Sequence, residues 1–384
     1  KLFILDHPFL FNSDEQAYEV LDGEVGQYML DSLSDAGLVG LGWLNNGFRE
    51  LTCNVEVHSP ADLKGQKIRT KKNIKLYAVY ESDTTFTVAL CKNDGTVYKT
   101  ENVASGSSYT LPSVRNASGY TFMGWDIQLG KSTAPRYEAG DTITVNSNIK
   151  LYAVVFNRSA EEDLTLSELL QSASSWKIGN GSSRGYNHII FVGDSRTNRM
   201  QRTLQKLNSG YYESNLLRDI DFVYEEGKGL EWLKSQGMNT VLSIAEENYS
   251  VLKPTAVIFN LGVNDPGNMY DYISYYQEIA ESLQKKNCKL FFMSVNPVNS
   301  KTIEYLGKNA IRKEEVIRKF NSVVGSALGS TFEYIDTYSY LMENGYGTNI
   351  SGTGVDLPDD DGLHYTTKTY KRIFKYCLDY LILH

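Results

Sequence analysis

The chain has 384 residues, 41% hydrophobic and 22% charged, an ordinary globular composition that excludes a disordered or fibrous chain. Lys and Arg total 38 against 46 Asp and Glu, a net charge of −8 that argues against nucleic acid or an anionic membrane surface as the main partner. No apolar run reaches the length of a membrane span. At roughly 150 residues per domain, the length predicts two to three domains.

The chain opens Lys1-Leu2-Phe3-Ile4-Leu5 and meets Asp6, with neither a starting Met nor a leader's apolar stretch, so it reads as a mature or truncated piece. Cys53, Cys91, Cys288 and Cys377 are far apart and suggest neither a zinc site nor a disulfide framework. Ser13-Asp14-Glu15-Gln16 is a capped helix start, followed by apolar Val20, Leu21, Val25, Met29, Leu30 and Leu33. Leu38 to Leu44 reads as a short apolar strand, and Pro60 to Arg69 closes the segment. These pieces resemble part of the solute-binding proteins of tripartite ATP-independent periplasmic transporters. That resemblance implies a carboxylate-holding role for Arg69, whose planar fork suits the task. It stops at Thr70, well short of a two-lobed binding protein.

Asn73 to Val79 recurs letter for letter as Asn148 to Val154, the mark of arrayed modules. Between the copies, Phe86 to Leu90 and Thr142 to Val145 alternate as strands do, with turns at Asn93-Asp94-Gly95 and Ala139-Gly140-Asp141. Tyr109-Thr110-Leu111-Pro112, Gly119 to Trp125, Tyr137 to Asp141 and the Leu-Tyr-Ala-Val strand resemble the internalin-type B-repeat (Listeria–Bacteroides repeat). That implies a small β-grasp-like module of bacterial cell-surface proteins, acting as a spacer. Residues 71–81 then form the last strand of a truncated copy and 82–156 a complete one. Residues 157–184 read as a linker with one amphipathic stretch, Leu164 to Leu170, and a flexible Gly179 to Ser183.

From residue 185 the pattern becomes α/β. Strands are expected at His188–Val192, Asp221–Tyr224, Ala256–Leu261, Lys289–Val295 and Phe332–Asp336, with helices between them at Asp271–Lys286 and Glu314–Ala327. Such alternation predicts a five-stranded parallel sheet covered on both faces, with its site beyond the carboxyl ends of the strands. The first strand runs into Gly193-Asp194-Ser195-Arg196, the third into Gly262-Val263-Asn264-Asp265, and Asp361-Gly362-Leu363-His364 lies near the end. A serine hydroxyl needs an adjacent base, the base an orienting carboxylate, and the acyl oxyanion preorganised donors.

In that order the three motifs resemble the SGNH (GDSL-type) hydrolases, and residues 185–384 are identified as a flavodoxin-like, three-layer domain of that kind. The resemblance implies Ser195 as nucleophile, His364 as general base and Asp361 as its orienter. The oxyanion donors would be the Ser195 N–H, the Asn264 amide and a glycine N–H, Gly229 preferred over Gly227. Arg196 stands where the family commonly has Leu, so it would face an anionic or polyhydroxylated substrate, or equally solvent, pairing with an acid such as Asp265; Arg196 and Asp265 are the candidate substrate contacts. Of the five histidines, His188 reads as a core or edge residue, and His7, His58 and His384 have no such motif. Tyr270, Tyr272, Tyr275 and Tyr276 read as packing.

The expected function is a secreted or cell-surface bacterial serine esterase needing no metal or organic cofactor. Its substrate would be an acylated carbohydrate or other small ester, above all O-acetyl groups on a cell-wall or dietary polysaccharide. Two other classes stay open: a non-catalytic carbohydrate-binding protein on the same fold, and an organic-acid receptor built on residues 1–70.

Overall fold

The structure, a computed structural model, describes residues 10–11, 13–34, 37–43, 85–179, 185–209, 215–307, 311–349 and 360–384. The chain divides into two units, Lys1–Thr84 and Thr85–His384. In the first, Ser13 caps α1 (Asp14–Leu21), its hydroxyl accepting from the Gln16 N–H at 3.2 Å, and Gly23 precedes α2 (Glu24–Asp31). Residues 38–43 form no strand, contrary to expectation. Gly37 and Gly42 hold positive φ there, at 74° and 152°, and interrupt an extended run. Arg69 and the truncated repeat strand at 71–81 lie outside the described residues.

The second unit begins with the repeat. β1 (Thr85–Cys91), β2 (Val97–Ala104), β4 (Tyr120–Asp126) and β6 (Ile149–Asn157) form a sheet in the order β2-β1-β6-β4. β1 and β6 run parallel at its centre, and β3 (Ser108–Thr110) pairs with β5 (Thr142–Thr144) beside it. Alternation gives each strand two faces. Phe122 and Leu151 join Val88, Leu90, Trp125 and Tyr109 in the repeat's own core. Met123, Val154 and Phe156 belong instead to the large core of the α/β region. The repeat is therefore packed against its neighbour through the second face of its sheet rather than spaced away from it.

The expected linker is also structured over most of its length. α3 (Leu166–Ser175) opens with a capping box, Thr165 with Glu168, and buries Leu169 and Ala173. Leu164 and Trp176 are buried in the same large core. Lys371 of the α/β region also holds the stretch before α3, through Asp163 and the carbonyl of Leu164. Residues 180–184 lie outside the described set.

The α/β region is built from β7 (His188–Gly193), α4 (Ser195–Ser209), β8 (Ile220–Tyr224), the short α5 (Leu230–Trp232) continuing through a π turn into α6 (Met238–Glu247), β9 (Thr255–Asn260), α7 (Met269–Gln284) and β10 (Cys288–Met293). α8 (Ser300–Tyr305), α9 (Glu314–Leu328), β11 (Glu333–Ile335), α10 (Thr337–Asn344) and α11 (Thr367–Leu383) follow. The sheet order is β11-β10-β9-β7-β8, all parallel. β7 and β9 are buried along their whole length, as a sheet covered on both faces requires. From β7 the chain goes outward to β8 and then returns past β7 to β9, β10 and β11. Right-handed crossovers then put α4 on one face and α7 and α9 on the other. The direction reverses between β7 and β9, so a crevice opens at their carboxyl ends. This is the expected α/β architecture, and it brings Gly193-Asp194-Ser195 beside Gly262-Val263-Asn264. Tyr272 and Tyr276 are fully buried against Phe259, Phe320 and Phe332, whereas Tyr270 is exposed.

Candidate active site

The turn from β7 into α4 is tight. A Cβ on Gly193 would come within 1.9 Å of the Thr197 hydroxyl, so only glycine fits. Asp194 follows and accepts from the Arg196 N–H at 2.9 Å, as an N-cap does. Ser195 is the first residue of the helix, where backbone N–H groups lack intrahelical acceptors and the helix dipole favours negative charge.

Ser195 Oγ lies 2.8 Å from His364 Nε2, and His364 Nδ1 lies 2.7 Å from Asp361 Oδ2. The other oxygen of Asp361 accepts from the Leu363 and His364 N–H groups at 3.0 and 2.8 Å. The positive φ of Gly362, 67°, lets the loop turn back so that the carboxylate meets both backbone and imidazole. Ser195, His364 and Asp361 are all buried, the last completely. Burial alone disfavours the Asp361 anion, but the hydrogen bond and charge of His364 and the two backbone donors outweigh it, and its pKa is lowered to about 2.

A carboxyl held low in the folded state adds stability that is present above its unfolded pKa and lost as pH falls towards the folded value. The Asp361 contribution should amount to about 2 kcal/mol and disappear between about pH 4 and about pH 2. Denaturant titrations across that window should show this loss in the native protein and its absence in Asp361→Asn.

Asn264 follows β9, and its Nδ2 donates to Lys228 O at 2.8 Å and to Asp194 Oδ2 at 3.3 Å. Gly229 caps α5 close by, and a Cβ there would meet the Asp265 carboxylate at 2.3 Å. Its N–H has no protein acceptor among the described residues. Gly227 serves the turn instead, at φ 71° in open space. Asp194 is completely desolvated, and burial raises its pKa against the opposing charge of Arg196.

Residues 189–377 match the GDSL-like Lipase/Acylhydrolase family. The C-terminal region is a GDSL-like lipase/acylhydrolase domain. Residues 86–154 match the Listeria-Bacteroides repeat domain, and residues 1–82 match bacterial extracellular solute-binding protein family 7. An uncharacterized protein of Haemophilus influenzae is 45% identical over 74 residues, 19% of this chain and 23% of its own length. The 2,3-diketo-L-gulonate-binding periplasmic protein YiaO of Escherichia coli is 43% identical over 81 residues, 20% and 25% of the two chains. The chain thus spans about a quarter of the length of these curated relatives. Among solved structures, a GDSL-like lipase from Bacteroides thetaiotaomicron aligns at 16% identity and TM-score 0.33, over 51% of this chain and 87% of that one. A Geobacillus acetyl-xylooligosaccharide esterase mutant aligns at 14% identity and TM-score 0.35, over 53% and 96%.

One expectation for this GDSL domain needs correction. Arg196 is only 3% exposed, and its guanidinium donates to the carbonyls of Leu363, Asn296 and Pro297 and lies over the Tyr365 ring. It pins the residues around His364 and faces neither substrate nor Asp265. Asp265, half-buried, accepts from the Leu230 N–H at 2.9 Å and the Tyr272 hydroxyl at 2.7 Å, which fixes its carboxylate on the crevice wall.

Sequence reasoning missed Arg312. Its Nη2 donates to Asn264 Oδ1 at 2.8 Å and its Nε to Val263 O at 3.1 Å. This fixes which side of the Asn264 amide is NH2. An arginine just before a helix carries no spacing signal, so only the folded chain reveals the contact. His188, read as a core or edge residue, is buried with Nε2 at 2.8 Å from Asp221.

Proposed function

We propose that the GDSL domain is a serine esterase working through an acyl-enzyme, with O-acetyl groups of a cell-wall or dietary polysaccharide as its substrate. The observation that carries this reading is the continuous chain from Ser195 Oγ through His364 to Asp361, at 2.8 and 2.7 Å. His364 Nε2 takes the Ser195 proton as Oγ attacks the ester carbonyl, then gives it to the departing alcohol. Water, deprotonated by the same nitrogen, attacks the acyl-serine, and that nitrogen returns the proton to Ser195 Oγ as the acyl–Oγ bond breaks and the carboxylic acid leaves. Asp361 keeps the Nδ1 proton in place and stabilises the imidazolium.

The tetrahedral oxyanion would lie at the N-terminus of α4 and accept from the Ser195 N–H, the Gly229 N–H and Asn264 Nδ2. The Asn264 bond to Asp194, at 3.3 Å, is the weaker of its two and the one an oxyanion would displace. Asn264→Ala should lower kcat by about 100- to 1000-fold with little change in KM. Arg312→Ala should lower it by a smaller factor, about 10-fold, because the amide then turns freely. Steady-state kinetics on p-nitrophenyl acetate measures both.

The polysaccharide part of the proposal is supported by the company the domain keeps. The repeat and the solute-binding-type segment both belong to families of extracytoplasmic bacterial proteins, and no helix among the described residues is long and apolar enough to cross a membrane. We therefore place its action outside the cytoplasm, where acetylated glycans are met. Acetate release from acetylated xylan and from O-acetylated peptidoglycan tests this. Release from either supports the reading. Hydrolysis of p-nitrophenyl esters without release from either would overturn the glycan part and leave the esterase.

A further inference from the structure

We infer that the Listeria–Bacteroides repeat is a working part of the hydrolase, because Asn116 and Arg158 hold in register the loop that carries Asp361 and His364. The inference rests on the esterase reading above. It begins from Asp360, the residue before the triad aspartate. One oxygen of Asp360 accepts from the Gly362 N–H at 2.8 Å and so closes the loop on itself. The other accepts from Asn116 Nδ2 at 3.0 Å and forms an ion pair with Arg158. Asn116 lies in the repeat, and Arg158 is the first residue beyond its last strand.

Both residues are themselves rigidly held. Asn116 Oδ1 accepts from the Phe122 N–H, and Arg158 also donates to the carbonyls of Ala117 and Tyr120. Arg158 is 3% exposed and Asn116 7%. A buried guanidinium whose donors all find acceptors is a fixed post, not a surface charge.

The same pair reaches the strip that flanks His364. Asn116 Nδ2 donates to the Thr348 hydroxyl at 3.0 Å, and Arg158 Nη1 donates to Thr348 O at 2.9 Å. Thr348 bridges to Tyr365, and the Asn349 N–H donates to His364 O at 2.7 Å. A third hold comes through Asn299, whose Nδ2 donates to Val114 O of the repeat and whose N–H donates to Gly362 O, at 2.9 and 2.8 Å. Beyond His364, Glu161 accepts from the hydroxyls of Thr366 and Thr369 at the start of α11. The loop is thus clamped before, at and after the triad residues by residues 114–116 and 158–161.

A contrasting contact exists in the same interface. Arg318 on α9 pairs with Glu138 and Asp141 of the repeat, at 3.2 and 2.6 Å, and touches neither Asp360 nor Thr348. If the repeat were only glued on, losing Arg318 and losing Arg158 would act alike, through stability. Asn116 and Arg158 are positioning residues if their loss acts on kcat.

The test compares Arg158→Ala, Arg158→Lys, Asn116→Ala and Arg318→Ala in the full chain, well below each melting temperature. The readouts are kcat and KM on p-nitrophenyl acetate and the low-field proton signal of His364 Nδ1–H. We expect kcat to fall by about 10- to 100-fold in Arg158→Ala, and less in Asn116→Ala. KM should stay within about twofold, Arg158→Lys should recover part of the loss, and Arg318→Ala should keep the native kcat. The proton signal should broaden or vanish only in Arg158→Ala and Asn116→Ala. Equal kcat in Arg158→Ala and Arg318→Ala, with the signal intact in both, overturns the inference. If the native protein has no esterase activity, the proton signal still decides. Its selective loss in Arg158→Ala keeps the positioning role while the esterase reading falls. If Arg158→Ala does not fold, Asn116→Ala and Arg158→Lys carry the comparison.

Discussion

Ser195→Ala should lower ester hydrolysis by at least about 1000-fold and leave the fold intact. Among the described residues the Ser195 hydroxyl is the hydrogen-bond partner of His364 Nε2, at 2.8 Å, so its removal takes away the nucleophile whose proton the base would accept. The structural cost is small for three reasons. Alanine is a good helix former at the start of α4, the lost hydroxyl makes one hydrogen bond, and the site lies at the edge of the crevice rather than in the apolar core. The melting temperature should shift by a few degrees at most, and a fluorophosphonate should no longer label the protein. A variant that unfolds would point to a packing role for Ser195, and a variant that keeps its rate would remove the serine mechanism.

Asp361→Asn should cost about 10,000-fold in kcat, a loss of the size typical when this exchange is made in a serine triad. The hydrogen bonds explain why so conservative a change is so damaging. Asp361 Oδ1 accepts two backbone N–H groups, so the carbonyl oxygen of asparagine must occupy that position. Its NH2 then faces His364 Nδ1 at the place now 2.7 Å away, and Nδ1 must become the acceptor. The ring proton moves to Nε2, which points at Ser195 Oγ and can no longer take its proton. Far-UV circular dichroism should be native while turnover on p-nitrophenyl acetate collapses. Equal activity in Asp361→Asn and the native protein would show that His364 is oriented by other groups.

Much of this was legible in the chain before folding. The central strands β7 and β9 stand out as nearly continuous apolar runs, because a parallel sheet is buried on both faces, and all five strands form at the expected places. The motifs after β7 and β9 and before α11 were legible because strand-end turns constrain residue type, as Gly193 and Gly362 do. Apart from the strand expected at Leu38 to Leu44, which local glycine conformations interrupt, the misses share one physical origin, which is contact between residues far apart in sequence. Local sequence points Arg196 to a substrate or to solvent beside an acid such as Asp265, but its partners Asn296, Pro297 and Leu363 come from two distant loops. Arg312 acts through Asn264, 48 positions away. The Ser-, Asn- and Gly-rich composition of 157–184 suggested a linker, yet Trp176 and Leu169 find the core of the following domain. The second apolar face of the repeat, Met123, Val154 and Phe156, was present in the sequence as alternation, but alternation does not name the surface that covers it.

The central claim is that Ser195 becomes acylated and His364 drives both halves of the reaction. The most direct measurement is rapid-quench mass spectrometry of the full chain with p-nitrophenyl acetate, beside Ser195→Ala and His364→Ala. The account predicts a p-nitrophenol burst with a single acetyl group mapped to the peptide bearing Ser195, absent from both variants. Native-rate release of p-nitrophenol by Ser195→Ala, or acetyl mapped to another residue, would contradict it.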